Sequence, residues 1–323
     1  ELALAVAVNI GLPAISSLGS TACTFRSAMM AVMPSVASLR QLYVCGGRGS
    51  NGDVLSSAEC FDPVCGQWRR LSPMLEPRVH AAAAAVTGQL YVCGGQDNDV
   101  DALLSAERFD LALGKWEPTV PLWEPLAGAA AVSINQRVYV CGGQDGDGVV
   151  QRSAWCFDPR TRRWERLPPM LESRVDPVAA AIGGKLYVCG GRAGDGSRLN
   201  SVERYDPSED LWEPLSSMRD RRTIAAGGVL QGVLYICGGE LDDMHALSSV
   251  EGYHGRQWVA LAAMSQPRAG AAAGVLCGKL YVCGGFHGGA DSNSLECFDP
   301  ATGSWELLRQ MWTRRARHVA QVL

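Results

Sequence analysis

The chain of 323 residues is 47% hydrophobic and only 19% charged, with a formal net charge of −4. That balance argues against a nucleic-acid binder, which needs a basic excess. The 37 glycines exceed the ~7% of an average protein without forming a low-complexity run, which points to a fold rich in tight turns. Residues 1–38 read as a linker or as part of an upstream region missing from a chain that starts at Glu1. The apolar stretch Leu2–Leu18 is broken by Asn9, Gly11 and Pro13 and has no basic residue ahead of it. It reads as a linker or an incomplete start, with a signal peptide or membrane helix as the lesser alternative, and no membrane partner is expected.

From residue 39 onward one unit repeats. A Tyr-x-Cys-Gly-Gly signature begins at Tyr43, Tyr91, Tyr139, Tyr187, Tyr235 and Tyr281, in steps of 48, 48, 48, 48 and 46 residues. A Trp follows each signature, at Trp68, Trp116, Trp164, Trp212, Trp258 and Trp305. Met74–Pro121 serves as a sample unit. Val79–Val86 is Ala-rich and open to helix or strand by propensity, and its length and Gly-rich setting tip it to strand. Gln89–Cys93 is a short β-branched and aromatic strand, stopped by Gly94-Gly95. Asp97–Asp101 is a polar loop, Ser105–Phe109 alternates, Leu111–Gly114 turns, and Lys115–Glu117 is a last short strand before Pro118. Four strands per unit cannot bury both faces alone. Six such units stacked around an axis can, with the small-residue strand innermost and Trp and Tyr filling the wide gaps between units.

Six of the twelve cysteines, Cys45, Cys93, Cys141, Cys189, Cys237 and Cys283, occupy one slot of the repeat. Equivalent strands of neighbouring units are expected ~10 Å apart, beyond the ~7 Å limit for a disulfide. They read as small buried hydrophobes in a reducing, cytoplasmic setting.

The double Gly, the aromatic-Asp pairs Phe61-Asp62, Phe109-Asp110, Phe157-Asp158, Tyr205-Asp206 and Phe298-Asp299, and the trailing Trp resemble the kelch-repeat family. Tyr253-His254 departs from the pattern in repeat five. An acidic residue precedes the aromatic by two at Glu59, Glu107, Glu203, Glu251 and Glu296, with Trp155 in its place in repeat three. The likeness spans residues 39–323 and implies an all-β, six-bladed kelch β-propeller with four antiparallel strands per blade. No Trp-Asp dipeptide occurs, which separates the chain from WD40 propellers. The pattern is most similar to the propeller of kelch-like ubiquitin-ligase adaptors. Their BTB and BACK domains have no room in the 38 residues ahead of the repeats, so cullin-type partners would be reached through a missing region. Ring closure is assigned to the C-terminal run Arg315–Leu323, as the innermost strand of blade one. Its rival is Met30–Ala37, which Pro34 interrupts.

An Arg recurs thirteen residues before the Tyr, at Arg78, Arg174, Arg222 and Arg268; Arg315 holds the slot at the C-terminal end, and Met30 and Leu126 replace it elsewhere. Two readings stand: these Arg grip a partner at one mouth of the axis, or they staple blade to blade. The loops after the double Gly are expected at the same mouth. They bring Arg48, Gln96, Asp97, Gln144, Asp145, Arg192, Glu240 and His287, with Asp242 close by. Arg forks suit carboxylates or backbone carbonyls of a protein or peptide ligand, and the acids suit basic side chains. Residues that break the repeat are the better specificity candidates: Arg48, His80, Asp176, Arg192, His287 and Arg317. Of these, His80, Asp176 and Arg317 lie two after the Arg slot and are expected to face the same way on a strand.

Catalysis is not expected. The histidines His80, His245, His254, His287 and His318 show no metal-ligand spacing, and no cofactor is implied. The copper-oxidase and sialidase types of propeller lack their signatures here, as do the P-loop and G-x-S-x-G motifs. The expected function is protein–protein interaction at the loop-rich mouth, with a cytoskeletal, actin-type scaffold as the alternative.

Overall fold

The computed structural model describes residues 40–98, 101–242 and 244–323. The segment 1–38 and the rival strand Met30–Ala37 lie outside them. The described residues form six antiparallel sheets, each with a four-stranded path from axis to rim. Blade two is typical: Ala82–Val86 lines the axis, followed outward by Gln89–Cys93, Ala106–Asp110 and Lys115–Pro118. The inner strand starts three residues later than the sequence suggests, because Val79 makes only an isolated bridge, to Gln96. Its alanines let six strands approach the axis. Blade one is closed by Val319–Val322, which pairs antiparallel with Leu42–Cys45 in the register Leu42↔Val322 to Cys45↔Val319. The C-terminal assignment is therefore the observed one.

Blades are joined by the aromatic residues of the repeat. Each signature Tyr meets the aromatic of the next blade: Tyr43–Phe109, Tyr91–Phe157, Tyr139–Tyr205, Tyr187–Tyr253, Tyr235–Phe298 and Tyr281–Phe61, with centroids 5.8–6.5 Å apart. Each Trp indole N–H donates to a carbonyl of the preceding blade, as from Trp116 to Ser72 at 2.9 Å and, across the closure, from Trp68 to Arg309 at 2.8 Å. These contacts bury the apolar ring and satisfy its polar edge together.

The double Gly fits a site with no room for a side chain. Gly94 has φ +63°, and a Cβ there would lie 2.3 Å from the Leu126 carbonyl oxygen. The six repeat cysteines are buried, and burial pushes each thiol up to about 12, so they remain neutral core residues.

Candidate functional site: the axial mouth

The recurrent Arg side chains are inside the wall. Arg78, Arg174, Arg222, Arg268 and Arg315 are each at most 2% exposed. The backbone of Arg78 is held by blade one, through Gly47 N–H to Arg78 O at 2.7 Å and Arg78 N–H to Leu55 O at 3.1 Å. Its guanidinium grips blade two, donating to the carbonyls of Gly94 and Ser105 and to the Glu107 carboxylate at 2.9, 3.0 and 2.9 Å. The same pairing joins Arg174 to Glu203, Arg222 to Glu251, Arg268 to Glu296 and Arg315 to Glu59. These five Arg are blade-to-blade staples. Their placement as partner-binding residues is corrected on that ground: each guanidinium is buried in the wall and paired with a Glu of the next blade.

One junction is built differently. Entering blade three, Leu126 stands in the Arg slot and Trp155 in the Glu slot, so the ion pair is replaced as a unit by apolar packing. Trp123 stacks edge-on against Trp155 at 4.9 Å, and Arg166 lies over the Trp155 ring at 5.4 Å.

Two residues beyond the Arg slot the backbone turns a left-handed corner, ahead of the inner strand in five blades and within the strand Ala269–Leu276 in blade six. His80, Gly128, Asp176, Ile224, Gly270 and Arg317 all have positive φ, between +46° and +68°. Each donates its backbone N–H to the carbonyl of its counterpart in the preceding blade: His80 to Arg317, Gly128 to His80, Asp176 to Gly128, Ile224 to Asp176, Gly270 to Ile224, and Arg317 to Gly270, at 2.6–3.1 Å. Six bonds thus close an annulus around the axis. The expectation that His80, Asp176 and Arg317 face as the Arg slot does is corrected: the left-handed corner turns them to the axial cavity while the Arg side chains enter the wall.

The loops after the double Gly open on this same mouth, as the repeat suggests. Their first residues bridge to the residue before the annulus, in the pairs Arg48–Ala316, Val79–Gln96, Ala127–Gln144, Val175–Arg192 and Thr223–Glu240, with Ala269–Phe286 in blade six. In blade six the strand continues through Gly284-Gly285 to His287 and folds back as a hairpin at Gly288-Gly289.

A cavity of about 380 Å³ fills the mouth, lined by His80, Gln96, Gln144, Asp176, Arg192, Glu240 and Arg317 among the expected residues. A second, of about 570 Å³, lies beside it under Arg48, His287, Met244 and Phe286. The acids are already engaged. Asp176 Oδ1 is 2.7 Å from His80 Nδ1, Glu240 Oε1 takes Arg198 at 2.6 Å, Asp145 holds its own turn and Gln151, and Asp242 caps the Arg198 N–H. Asp97 accepts the Asp101 N–H within its own loop. These carboxylates shape the loops before they can meet a basic ligand. Burial works to raise the Asp176 carboxyl, but His80, Arg317 and Arg192 hold it below its ordinary value. Burial lowers the Arg317 guanidinium, with Asp176, Glu240 and Asp291 opposing. Arg317 also lies over the Phe286 ring at 5.4 Å.

Sequence reasoning missed Arg198, Thr223 and Gly128, which also line the cavity. Arg198 was findable: its counterparts Val54, Ala102, Val150 and Ala246, bridged in the same way, are apolar, so it breaks the repeat.

The comparisons with known proteins agree with this architecture. The model of the KLHDC2/KLHL20/DRC7 kelch-repeats domain matches residues 33–239, and that of the single kelch motif matches residues 267–311. Among solved structures, that of YjhT is similar with a TM-score of 0.73 at 17% identity, covering 83% of this chain and 94% of YjhT, a likeness of fold. No curated protein matches the chain. The matched repeats and the closed ring of six four-stranded blades establish that this chain belongs to the kelch-repeat family of β-propellers.

Proposed function

We propose that this chain is an interaction module that holds a segment of a partner protein at the loop-rich mouth of the propeller. The observation that carries this reading is a set of side chains left without a protein partner around one concave face. Arg48, Arg192 and His287 make no side-chain hydrogen bond or ion pair among the described residues. Met244, 74% exposed, stands beside them as an apolar contact. Loops on a rigid scaffold are where binding residues concentrate. Arg forks favour backbone carbonyls and carboxylates of an extended segment. Service as a substrate receptor of a cullin-type ligase is the finer form of this proposal, and it requires a recruiting region beyond the propeller. A cytoplasmic setting belongs to the same proposal, since buried neutral thiols suit a reducing compartment.

A photo-crosslinking residue placed at His287 tests the face used. The control position is Leu113, in a turn at the opposite end of the antiparallel blade. Partner adducts at position 287 and none at 113 support the mouth; adducts at 113 alone contradict it.

A further inference from the structure

Several hydrogen-bond donors in the axial cavity have no protein partner among the described residues. The Arg317 guanidinium donates no hydrogen bond among the described residues, and its enclosed Nε has no partner. The Arg192 guanidinium likewise makes no hydrogen bond among the described residues. Arg198 spends Nη2 on Glu240 but leaves Nε unmatched, and the Thr223 hydroxyl, also enclosed, has no partner. Buried polar groups are ordinarily paired, and each exception calls for a ligand, an ion or water. Only two carboxylates line this space, and each already accepts: Asp176 from His80 and Glu240 from Arg198. Arg192, Arg198, Arg317 and the neighbouring Arg48 stand against Asp176, Glu240 and Asp291, which leaves positive charge in excess. Each annulus carbonyl on the floor already accepts a backbone N–H from the next annulus residue. The missing component is therefore a set of negatively charged oxygens.

The cavity also has the build of a site. Stacking on Phe286 fixes Arg317, and the His80–Asp176 bridge walls one side. A volume of about 380 Å³ suits a small molecule. We propose that the axial cavity is a binding site for a small oxyanion, a carboxylate or phosphate compound, held by Arg317 and Arg192 with Arg198 and Thr223 as further donors. This site shares Arg192 with the proposed partner-binding face, but anion binding is read out on the chain alone and so does not depend on that reading. The same oxygens can also arrive on an acidic side chain of a protein, so the test must separate the two sources.

Thermal unfolding and calorimetry with sodium acetate, sodium phosphate and a capped acidic tripeptide, each against sodium chloride at matched ionic strength, make that separation. Acetate or phosphate should stabilise the chain in a saturable way. The apparent Kd should rise about tenfold in Arg317→Gln and in Arg192→Gln, the loss of one charge-assisted contact. It should be unchanged in Arg160→Gln, which alters an exposed Arg outside the cavity. The Arg192 side chain makes no hydrogen bond among the described residues, so its variant keeps the test decisive if Arg317→Gln folds poorly. No saturable response to either ion, equal responses in the variants, or saturation by the tripeptide alone would overturn the proposal.

Discussion

His80 of blade two and Asp176 of blade four meet at 2.7 Å although a whole blade lies between them in the ring. The intervening position of the annulus is Gly128. A Cβ there would lie 2.7 Å from Asp176 Oδ1 and 2.5 Å from Val175 Cγ2, at a backbone φ of +68°. Glycine is what lets the bridge form.

Gly128→Ala should therefore cost about 1–3 kcal/mol, combining a strained left-handed residue with a forced shift of Asp176. Thermal unfolding should show a fall of several degrees. His80→Ala, which removes a partly exposed bridge without strain, should cost much less.

The staples give a second prediction. Arg174→Ala leaves Glu203 buried without its partner and should cost about 3–5 kcal/mol in chemical unfolding. The chain already contains a replacement, in Leu126 and Trp155. Arg174→Leu combined with Glu203→Trp should recover most of that loss, with a coupling of about 1–3 kcal/mol between the two sites. Simple additivity of the two substitutions would contradict the view that the pair is exchanged as a unit.

Most of the fold was legible because the repeat writes each contact six times. The Tyr and Trp positions had to be interfacial wherever they recurred, and they are, while the double Gly ends its strand in five blades and is carried through in the sixth. The mouth was legible only in part. Arg78 and Arg317 are both arginines near a blade entrance, yet one is a wall staple and the other lines the cavity. What separates them is a single left-handed corner, and the residues at that corner share no type: His80, Ile224 and Gly270 do not announce a common backbone. The link between Leu126 and Trp155 was hidden for a related reason. Each substitution breaks its own slot, but nothing in the spacing says that the two slots touch.

Ring closure predicts that the C-terminal strand is indispensable. Removing residues 314–323 takes away both the Val319–Val322 strand and the Arg315 staple. The loss should exceed the ~3 kcal/mol reached by ordinary single substitutions. Limited proteolysis should find blade one cleaved first.

His318 predicts a pH dependence. Burial, with Arg315 and Arg268 nearby, holds its imidazole well below 6.5. It is neutral when folded and takes a proton when unfolded. Its contribution is thus intact above about pH 6.5 and declines as pH falls, by at most ~1.4 kcal/mol per pH unit. His318→Leu should flatten the stability profile between about pH 6.5 and 5; an unchanged slope would show that another group sets it.

The most direct test of the central claim is affinity capture with the wild-type chain beside Arg48→Ala/Arg192→Ala, with Arg160→Ala as the control on the opposite face. Neither side chain makes a hydrogen bond or a close ion pair among the described residues, so the double variant should fold as the wild type does. Loss of the captured proteins in the double variant, and their retention in the control, is the result predicted. Undiminished capture by a folded double variant would mean that the mouth is not the surface this propeller uses.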